Sequence, residues 1–120
     1  MKIFGHDFID NSKFFFIDTI DEIKSTTPNS ILFFDFNKKI ITYCKTQNLI
    51  FGVNIKSIKE LVLASASNAS YLLSTKEFAK EAQNIANEYM FDAKILLISS
   101  HENDIEFCAK NGIDGIIFTD

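Results

Sequence analysis

The 120-residue sequence contains no arginine or tryptophan and has one proline, four glycines and two cysteines. Arginine supplies the planar, bidentate donor that reads phosphates and guanine edges, so its absence removes the commonest nucleic-acid contact. The 12 basic residues are all lysines, and with 16 acidic residues the net charge of -4 would not concentrate a polyanion. We therefore expect no nucleic-acid partner.

The few glycines and cysteines exclude several further kinds of site. Neither the G-x-G-x-x-G dinucleotide pattern nor the G-x-x-x-x-G-K pattern of phosphate-binding loops occurs. Cys44 and Cys108 lack C-x-x-C spacing and a neighbouring histidine, and apolar residues surround both at helical spacing. We therefore expect buried structural thiols, no cofactor and no metal.

Long hydrophobic runs are also missing. The longest apolar stretches, such as residues 31–34 and 95–98, are far shorter than the roughly 20 residues of a membrane-spanning helix. The N-terminus lacks the basic region, apolar block and cleavage site of a secretory signal. These absences predict a cytoplasmic protein without a membrane partner.

Short apolar runs rich in β-branched and aromatic residues predict the strands. They lie at residues 14–17, 31–36, 49–53, 70–73, 94–99 and 115–119, with a stub of strand at 2–4. The runs do not alternate between apolar and polar residues, so both faces of each strand should be covered, as is typical of parallel sheets. Helical segments separate them, which predicts a single α/β domain over residues 1–120 with about six strands and five helices.

Two architectures suit strands that alternate with helices: a three-layer sandwich and part of a barrel. We favour a three-layer sandwich with a mostly parallel sheet, because an eight-stranded barrel usually takes about 250 residues. A half-barrel that is completed by dimerisation is the alternative.

Serine or threonine followed three residues later by glutamate predicts a helix start, because the two side chains satisfy backbone donors that are otherwise unpaired. The pattern follows four predicted strands, at Thr19 with Glu22, Ser57 with Glu60, Ser74 with Glu77, and Ser99 with Glu102. Helix ends are predicted at Asn68 and Gly112, which tolerate the left-handed conformation.

The clearest helix follows Ser74 and carries one apolar stripe. The stripe consists of Phe78, Ala82, Ile85, Ala86 and Tyr89, while charged and amide residues occupy the other face. Such a distribution is typical of a helix that packs one side against a core. We therefore assign the stripe to the core.

In parallel α/β sheets, ligands bind beyond the carboxyl ends of the strands. Hydroxyl groups and one ammonium group occur at these positions in Ser74, Thr75, Lys76, Ser99 and Ser100. Free backbone amides at a helix start, combined with a lysine, favour an anion. These five residues thus predict a site for phosphate or a small anionic metabolite, and the alternative is that their hydroxyls only cap helices.

No group of residues predicts catalysis. His101 lies beside Ser99, Ser100, Glu102 and Asp104 in the sequence. A catalytic triad joins groups from separate elements, whereas adjacent residues at a helix start point away from one another. We therefore expect no catalytic residue in this cluster.

Two pairs of acidic or histidine residues are candidate metal ligands. His6 next to Asp7 is too small a ligand set, because a bound ion needs three or four ligands. Asp18 and Asp35 each follow a predicted strand and would bind a divalent cation only if they converge. The alternative is that each carboxylate stabilises a helix start.

Residues 94–120 contain Ile-Leu-Leu-Ile-Ser-Ser, a short helix and Gly-Ile-Asp-Gly-Ile-Ile-Phe. This segment resembles the last β-α-β unit of response-regulator receiver domains, whose hydroxyl residue would match Ser99 or Ser100. The family's last-strand lysine is replaced by Thr119 or Asp120, so the resemblance does not imply phosphate transfer. The final strand also resembles that of TIM-barrel phosphate binders, but no Gly-Ser phosphate loop follows it.

The whole chain is also similar to a small family of bacterial hypothetical proteins, and that resemblance implies no activity. A complete scaffold with capping residues at its edge favours a non-catalytic regulatory or protein-interaction domain, whose partner is a second copy or another protein. The alternative is a binder of a small anionic metabolite or phosphate at the carboxyl ends of the strands.

Overall fold

A computed structural model describes residues 1–10 and 13–119, and this part of the chain forms seven strands and five helices. The strands are β1 (Lys2–Phe4), β2 (Phe14–Phe16), β3 (Ile31–Asp35), β4 (Phe51–Asn54), β5 (Tyr71–Ser74), β6 (Lys94–Ser99) and β7 (Gly115–Phe118). The helices are α1 (Ile20–Ile23), α2 (Lys38–Thr46), α3 (Ile58–Ala66), α4 (Lys76–Glu88) and α5 (Asp104–Asn111).

The predicted α/β class is confirmed, and so are the parallel sheet and the five helices. Within the described residues, all six strand pairings are parallel. The sheet has seven strands instead of about six, because the predicted stub at residues 2–4 pairs along its length with β7.

The strand order shows that the sheet is wound in a single direction. From β2 to β7 each strand lies beside the next one in the chain, and β1 lies beside β7, so β1 and β2 form the two edges. In a flat sheet these edges would be about 29 Å apart, given about 4.8 Å between neighbouring strands. Instead, the rings of Phe4 in β1 and Phe14 in β2 are 6.0 Å apart. The sheet therefore curls until its edges meet, as in an α/β barrel.

The inner face of the curled sheet is filled by side chains from the strands. Its buried residues are Phe4, Ile31, Phe33, Leu73, Leu96 and Ile117, and none belongs to a helix. The ring of Phe4 also contacts that of Tyr71 in β5 at a centroid distance of 5.4 Å, which crosses the interior. The interior is thus a packed core and not an open channel.

The outer face of the sheet is covered by the helices. The larger buried cluster includes residues from every helix, among them Ile23, Ile40, Leu61, Ala82 and Cys108. The layers therefore differ from the predicted three-layer sandwich, in which helices would cover both faces. Each crossover after β2 steps to the next strand in the same direction, and crossovers of one hand then place all helices on one face. Short strands and helices allow this winding within 120 residues.

Gly52 makes room for the aromatic interior. A Cβ at this position would lie 2.6 Å from two ring carbons of Phe33 and 2.9 Å from Cβ of Tyr71. Such distances are well inside van der Waals contact, so glycine is required where the rings of β3 and β5 approach β4.

Candidate functional site

The parallel sheet brings every strand's carboxyl end, and so each predicted ligand residue, to one end of the molecule. We call this end the carboxyl edge. Two of the four predicted helix starts are confirmed there: Thr19 Oγ1 accepts from Glu22 N at 3.3 Å, and Ser57 Oγ accepts from Glu60 N at 3.1 Å. In each case the glutamate carboxylate accepts from the backbone N–H just before the cap residue.

The predicted cap at Ser74 is wrong, and the helix starts one residue later. Ser74 is fully buried, still pairs with Leu97 in the sheet, and its hydroxyl donates to the carbonyl of Thr75 at 2.9 Å. Thr75 is the N-cap residue of α4 and is exposed, but its side chain makes no capping hydrogen bond. The hydroxyl of Ser74 is therefore engaged inside the protein and does not face the carboxyl edge.

Ser99 also has a different role from the predicted cap. The helix α5 begins at Asp104, after Asn103, so Ser99 is too far upstream to cap it. Its hydroxyl accepts from the backbone N–H of His101 at 2.9 Å and lies 2.7 Å from Oδ2 of Asp104. Ser99 thus shapes the turn between β6 and α5, and Ser100 is exposed on that turn.

Asp104 joins two of the predicted ligand residues. Its Oδ1 accepts from Nζ of Lys76 at 3.0 Å, and its other oxygen accepts from the hydroxyl of Ser99. The hydrogen bond from Ser99, followed by that from Lys76, lowers the pKa of the Asp104 carboxyl below its ordinary value. The ammonium of Lys76 also lies 5.0 Å from the ring centroid of Phe107.

This network changes what the carboxyl edge offers to a ligand. The ammonium of Lys76 and the hydroxyl of Ser99 converge on a carboxylate that already compensates the positive charge. An incoming anion would approach a negatively charged group and would have to compete for both donors. The anion site predicted at these five residues remains a prediction. In the structure, hydrogen bonds to Asp104 give Lys76 and Ser99 a structural role, because they link α4 and the end of β6 to α5.

The residues on either side of His101 in the sequence contact different parts of the structure. Glu102, adjacent to His101 in sequence, instead pairs with His6, whose Nε2 lies 2.7 Å from its carboxylate. The Nδ1 atom of His6 accepts from the backbone N–H of Phe8 at 3.1 Å. His6 therefore links the end of β1 to the turn before α5, a contact between residues 96 positions apart that no local motif indicates.

The described residues contain no group of three or more His, Cys, Asp or Glu side chains placed to hold a metal ion. Asp18 and Asp35 line the same small cavity of about 80 Å³. Asp35 also accepts from Nδ2 of Asn54 at 2.9 Å and lies 3.6 Å from Nζ of Lys56. Both thiols are buried as predicted, and burial raises the pKa of Cys44 and of Cys108 to about 11. The thiols are therefore protonated and poorly nucleophilic near neutral pH.

A second candidate site lies on the helical layer, where α3 and α4 leave apolar residues exposed. We call this surface the α3–α4 face and define it by Ile58, Val62, Leu63, Tyr89 and Met90, each of which is more than two fifths exposed. A groove of about 540 Å³ runs along it and is lined by Ile58, Val62, Ile85, Glu88, Tyr89 and Phe91.

The exposure of Tyr89 corrects one sequence assignment. Ala82 and Ala86 of the predicted stripe are buried, but Tyr89 is 69% exposed because it lies just past the last residue of α4. Met90 follows it and is 85% exposed. The apolar stripe therefore begins in the core and continues onto the protein surface.

The backbone at Met90 is unusual for its residue type. The left-handed residues after α2, α3 and α5 are Asn48, Asn68 and Gly112, as predicted for the last two, whereas α4 is followed by Met90 with φ of 52°. Asparagine and glycine adopt this conformation readily, and a longer side chain adopts it at a cost. An exposed methionine thus occupies a position where folding alone favours glycine.

Comparison with known proteins does not assign the chain. No protein-family model matches the chain, and no curated protein matches it. None of the helices in residues 1–10 and 13–119 is both long and apolar enough to cross a membrane. The resemblances of the C-terminal segment and of the whole chain remain predictions.

Proposed function

We propose that this protein is a non-catalytic protein-interaction domain that binds its partner through the α3–α4 face. The observation that carries the proposal is the exposed apolar group of Ile58, Val62 and Tyr89, which line one groove, with Leu63 and Met90 exposed next to them in the sequence. Contiguous exposed apolar surface is costly in water and is characteristic of protein-binding sites. Tyrosine and methionine are also among the residues that interfaces use most.

The composition of the carboxyl edge supports the same proposal. The polar groups there bond mainly to one another, as in the contacts of Asp104 with Ser99 and Lys76 and of His6 with Glu102. A catalytic site needs groups directed at a substrate position, with a nucleophile or base in reach of it. Two buried, free thiols also fit the reducing interior of a cell, which supports a cytoplasmic location.

The experiment is photo-cross-linking in cells that produce the full chain. A photoreactive phenylalanine analogue replaces Leu63 on the α3–α4 face in one variant and Phe8 in a matched control. Phe8 is 87% exposed and lies in the connection between β1 and β2, so it reports on non-specific hydrophobic contact. We expect a discrete adduct from position 63 and none from position 8. Equal labelling at both positions, or none at position 63, would refute the proposal.

Anion binding at the carboxyl edge is the second candidate function. The convergence of Lys76 and Ser99 favours it, because both donors could turn toward a phosphate. The carboxylate of Asp104 between them opposes it. We rank it below protein binding because Lys76 and Ser99 are already bonded to Asp104, whereas the groove on the α3–α4 face is lined by apolar residues and one glutamate, Glu88.

A further inference from the structure

We infer that the α3–α4 face binds a short, positively charged amphipathic helix of its partner, which places apolar side chains in the groove and a lysine or arginine in an adjoining polar pocket. This inference rests on the proposed function, since it assumes that the face binds protein. Two cavities that share a wall, together with the negative charge around them, indicate the chemistry of the partner.

The polar pocket lies where α3 and α4 end, and its volume is about 450 Å³. The residues that line it include Ser65, Asn68, Ser70 and Asp92. Tyr89 and Phe91 line both this pocket and the groove of about 540 Å³, so the two cavities adjoin. A segment that lies along the groove therefore ends at the polar pocket.

The groove has the length and lining to accept one face of a short helix. From Ile58 to Ala66, α3 rises about 12 Å, which is the length of roughly two helical turns. The groove is lined by apolar residues and one glutamate, Glu88. Helices that bind in grooves of this kind insert apolar side chains spaced three or four residues apart.

The charged residues that line the two cavities are both acidic. Glu88 lines the groove and Asp92 lines the polar pocket, and no lysine among the described residues lines either cavity. Both residues are exposed, and neither forms an ion pair within the described part of the chain. The two carboxylates are therefore free to pair with cations of another molecule.

The lysines nearest to these carboxylates in the sequence lie elsewhere. Lys59 is in the first turn of α3, at the opposite end of that helix from the polar pocket. Lys94 begins β6, and Leu96, two residues further along, belongs to the inner cluster of the sheet. Because side chains alternate along a strand, Lys94 is directed away from the helical layer.

The ends of α3 and α4 add to the negative potential. A helix carries partial negative charge at its C-terminus, which a lysine in the last turn offsets. Lys45 does so in α2 and Lys110 in α5, whereas α3 and α4 have no basic residue in the last turn. A cation of the partner would therefore meet two helix ends and two carboxylates that the described chain does not compensate.

The wall between the cavities suits a long basic side chain. Tyr89 is 69% exposed, and Phe91 is half-buried beside it in both cavities. Aromatic rings contact the apolar stem of lysine or arginine and attract its charged head. The carboxylates would repel a nucleic acid or an anionic bilayer, so the partner segment belongs to a protein.

NMR titration of the full, isotope-labelled chain with three synthetic peptides tests the inference. Each peptide has about 14 residues, which is long enough to form a helix. The first carries leucine on one helical face and lysine on the other, the second has glutamate in place of lysine, and the third has alanine in place of leucine. We expect the leucine–lysine peptide to shift the amide signals of residues 58–70 and 85–93, with a dissociation constant on the order of 100 μM. The other two should bind at least about tenfold more weakly, because the carboxylates repel one and the other leaves the groove unfilled.

Substitutions that remove the two carboxylates test the charge directly. Asp92→Asn and Glu88→Gln should each weaken binding of the leucine–lysine peptide about threefold, and together about tenfold, as for exposed ion pairs. Asp7→Asn is the matched control, because it removes one exposed carboxylate from the connection between β1 and β2 and should leave the affinity unchanged. Tyr89→Ala should also weaken binding, whereas Phe8→Ala should not. The NMR spectrum of each variant verifies its fold.

The outcomes separate this inference from the proposed function. No binding of the leucine–lysine peptide at about 1 mM overturns the inference. Equal binding of the leucine–glutamate peptide, or equal effects of Asp92→Asn and Asp7→Asn, does so as well. If the position 63 cross-link then still joins the chain to a protein, the proposed function stands and only the chemistry of the partner is wrong. If position 63 gives no adduct, both fail. An adduct at a partner segment that contains lysine or arginine among apolar residues, combined with selective binding of the leucine–lysine peptide, supports both.

Discussion

Replacing Gly52 with alanine should destabilise the protein by about 2 to 3 kcal/mol. The new Cβ would lie 2.6 Å from two carbons of the Phe33 ring and 2.9 Å from Cβ of Tyr71. Phe33 is fully buried and its ring is held by those of Phe4, Phe14, Phe16 and Tyr71, so it has little room to move.

The magnitude combines two opposing effects. Overpacking a dense core costs about 1 to 3 kcal/mol and sometimes more, and the short distances at Gly52 place this substitution at the upper end. Alanine recovers about 0.5 to 1 kcal/mol because it restricts the unfolded chain more than glycine does. At about 0.25 kcal/mol per kelvin for 120 residues, the net loss lowers the melting temperature by about 8 to 12 °C.

Urea denaturation followed by circular dichroism measures the effect, with two further variants as controls. Gly112→Ala introduces a Cβ with nothing within 4 Å but at φ of 65°, so it reports backbone strain without a clash. Phe33→Leu in the Gly52→Ala background removes part of the clashing ring and should recover some of the lost stability. A Gly52→Ala protein within 0.5 kcal/mol of the native chain, taken as about the limit of a neutral substitution, would refute the packing described for the interior.

Three further outcomes are expected. At low protein concentration, Met90→Gly should stabilise the folded chain by about 0.5 to 1 kcal/mol in urea denaturation, because relief of the left-handed backbone strain exceeds the entropy cost of glycine. Asn48→Gly should change the free energy of unfolding little. A destabilised Met90→Gly protein would show that the backbone at Met90 is not strained. The folded pKa of Asp104 lies below its ordinary 3.8, so its contribution to stability is complete above that pH and is lost as pH falls through the folded pKa. Ser99→Ala should therefore reduce the loss of unfolding free energy as the pH is lowered into the acid range. An unchanged loss would show that the hydrogen bond from Ser99 does not stabilise the ionised carboxylate of Asp104. Inorganic phosphate should not raise the melting temperature of the native chain in thermal-shift assays. A rise that Lys76→Ala abolishes would favour anion binding over protein binding.

Local patterns in the sequence were sufficient for most of the secondary structure. Thr19 and Ser57 cap helices as predicted because the interacting groups are only three residues apart. Gly112 and Asn68 end their helices for the same reason, since a left-handed residue acts within one turn. The burial of both cysteines also followed from their apolar neighbours.

Predictions failed where a distant partner competes with a local one. Ser74 does not cap α4, because pairing of β5 with β6 keeps it in the sheet. Ser99 bonds to Asp104 and to the turn at His101 instead of capping at Glu102. Each residue had a correct local motif, and tertiary contacts determined which hydrogen bonds formed.

The sequence by itself determined the α/β class, the parallel strands and the five helices, because these depend on residue types and on spacing along the chain. Only the tertiary structure decided that the sheet curls until Phe4 meets Phe14, that all helices share one face, and that Tyr89 lies exposed at a groove on the helical layer. The physical reason is that strand order and exposure depend on contacts between residues far apart in sequence. A helical stripe has the same period whether its last turn faces the core or the solvent.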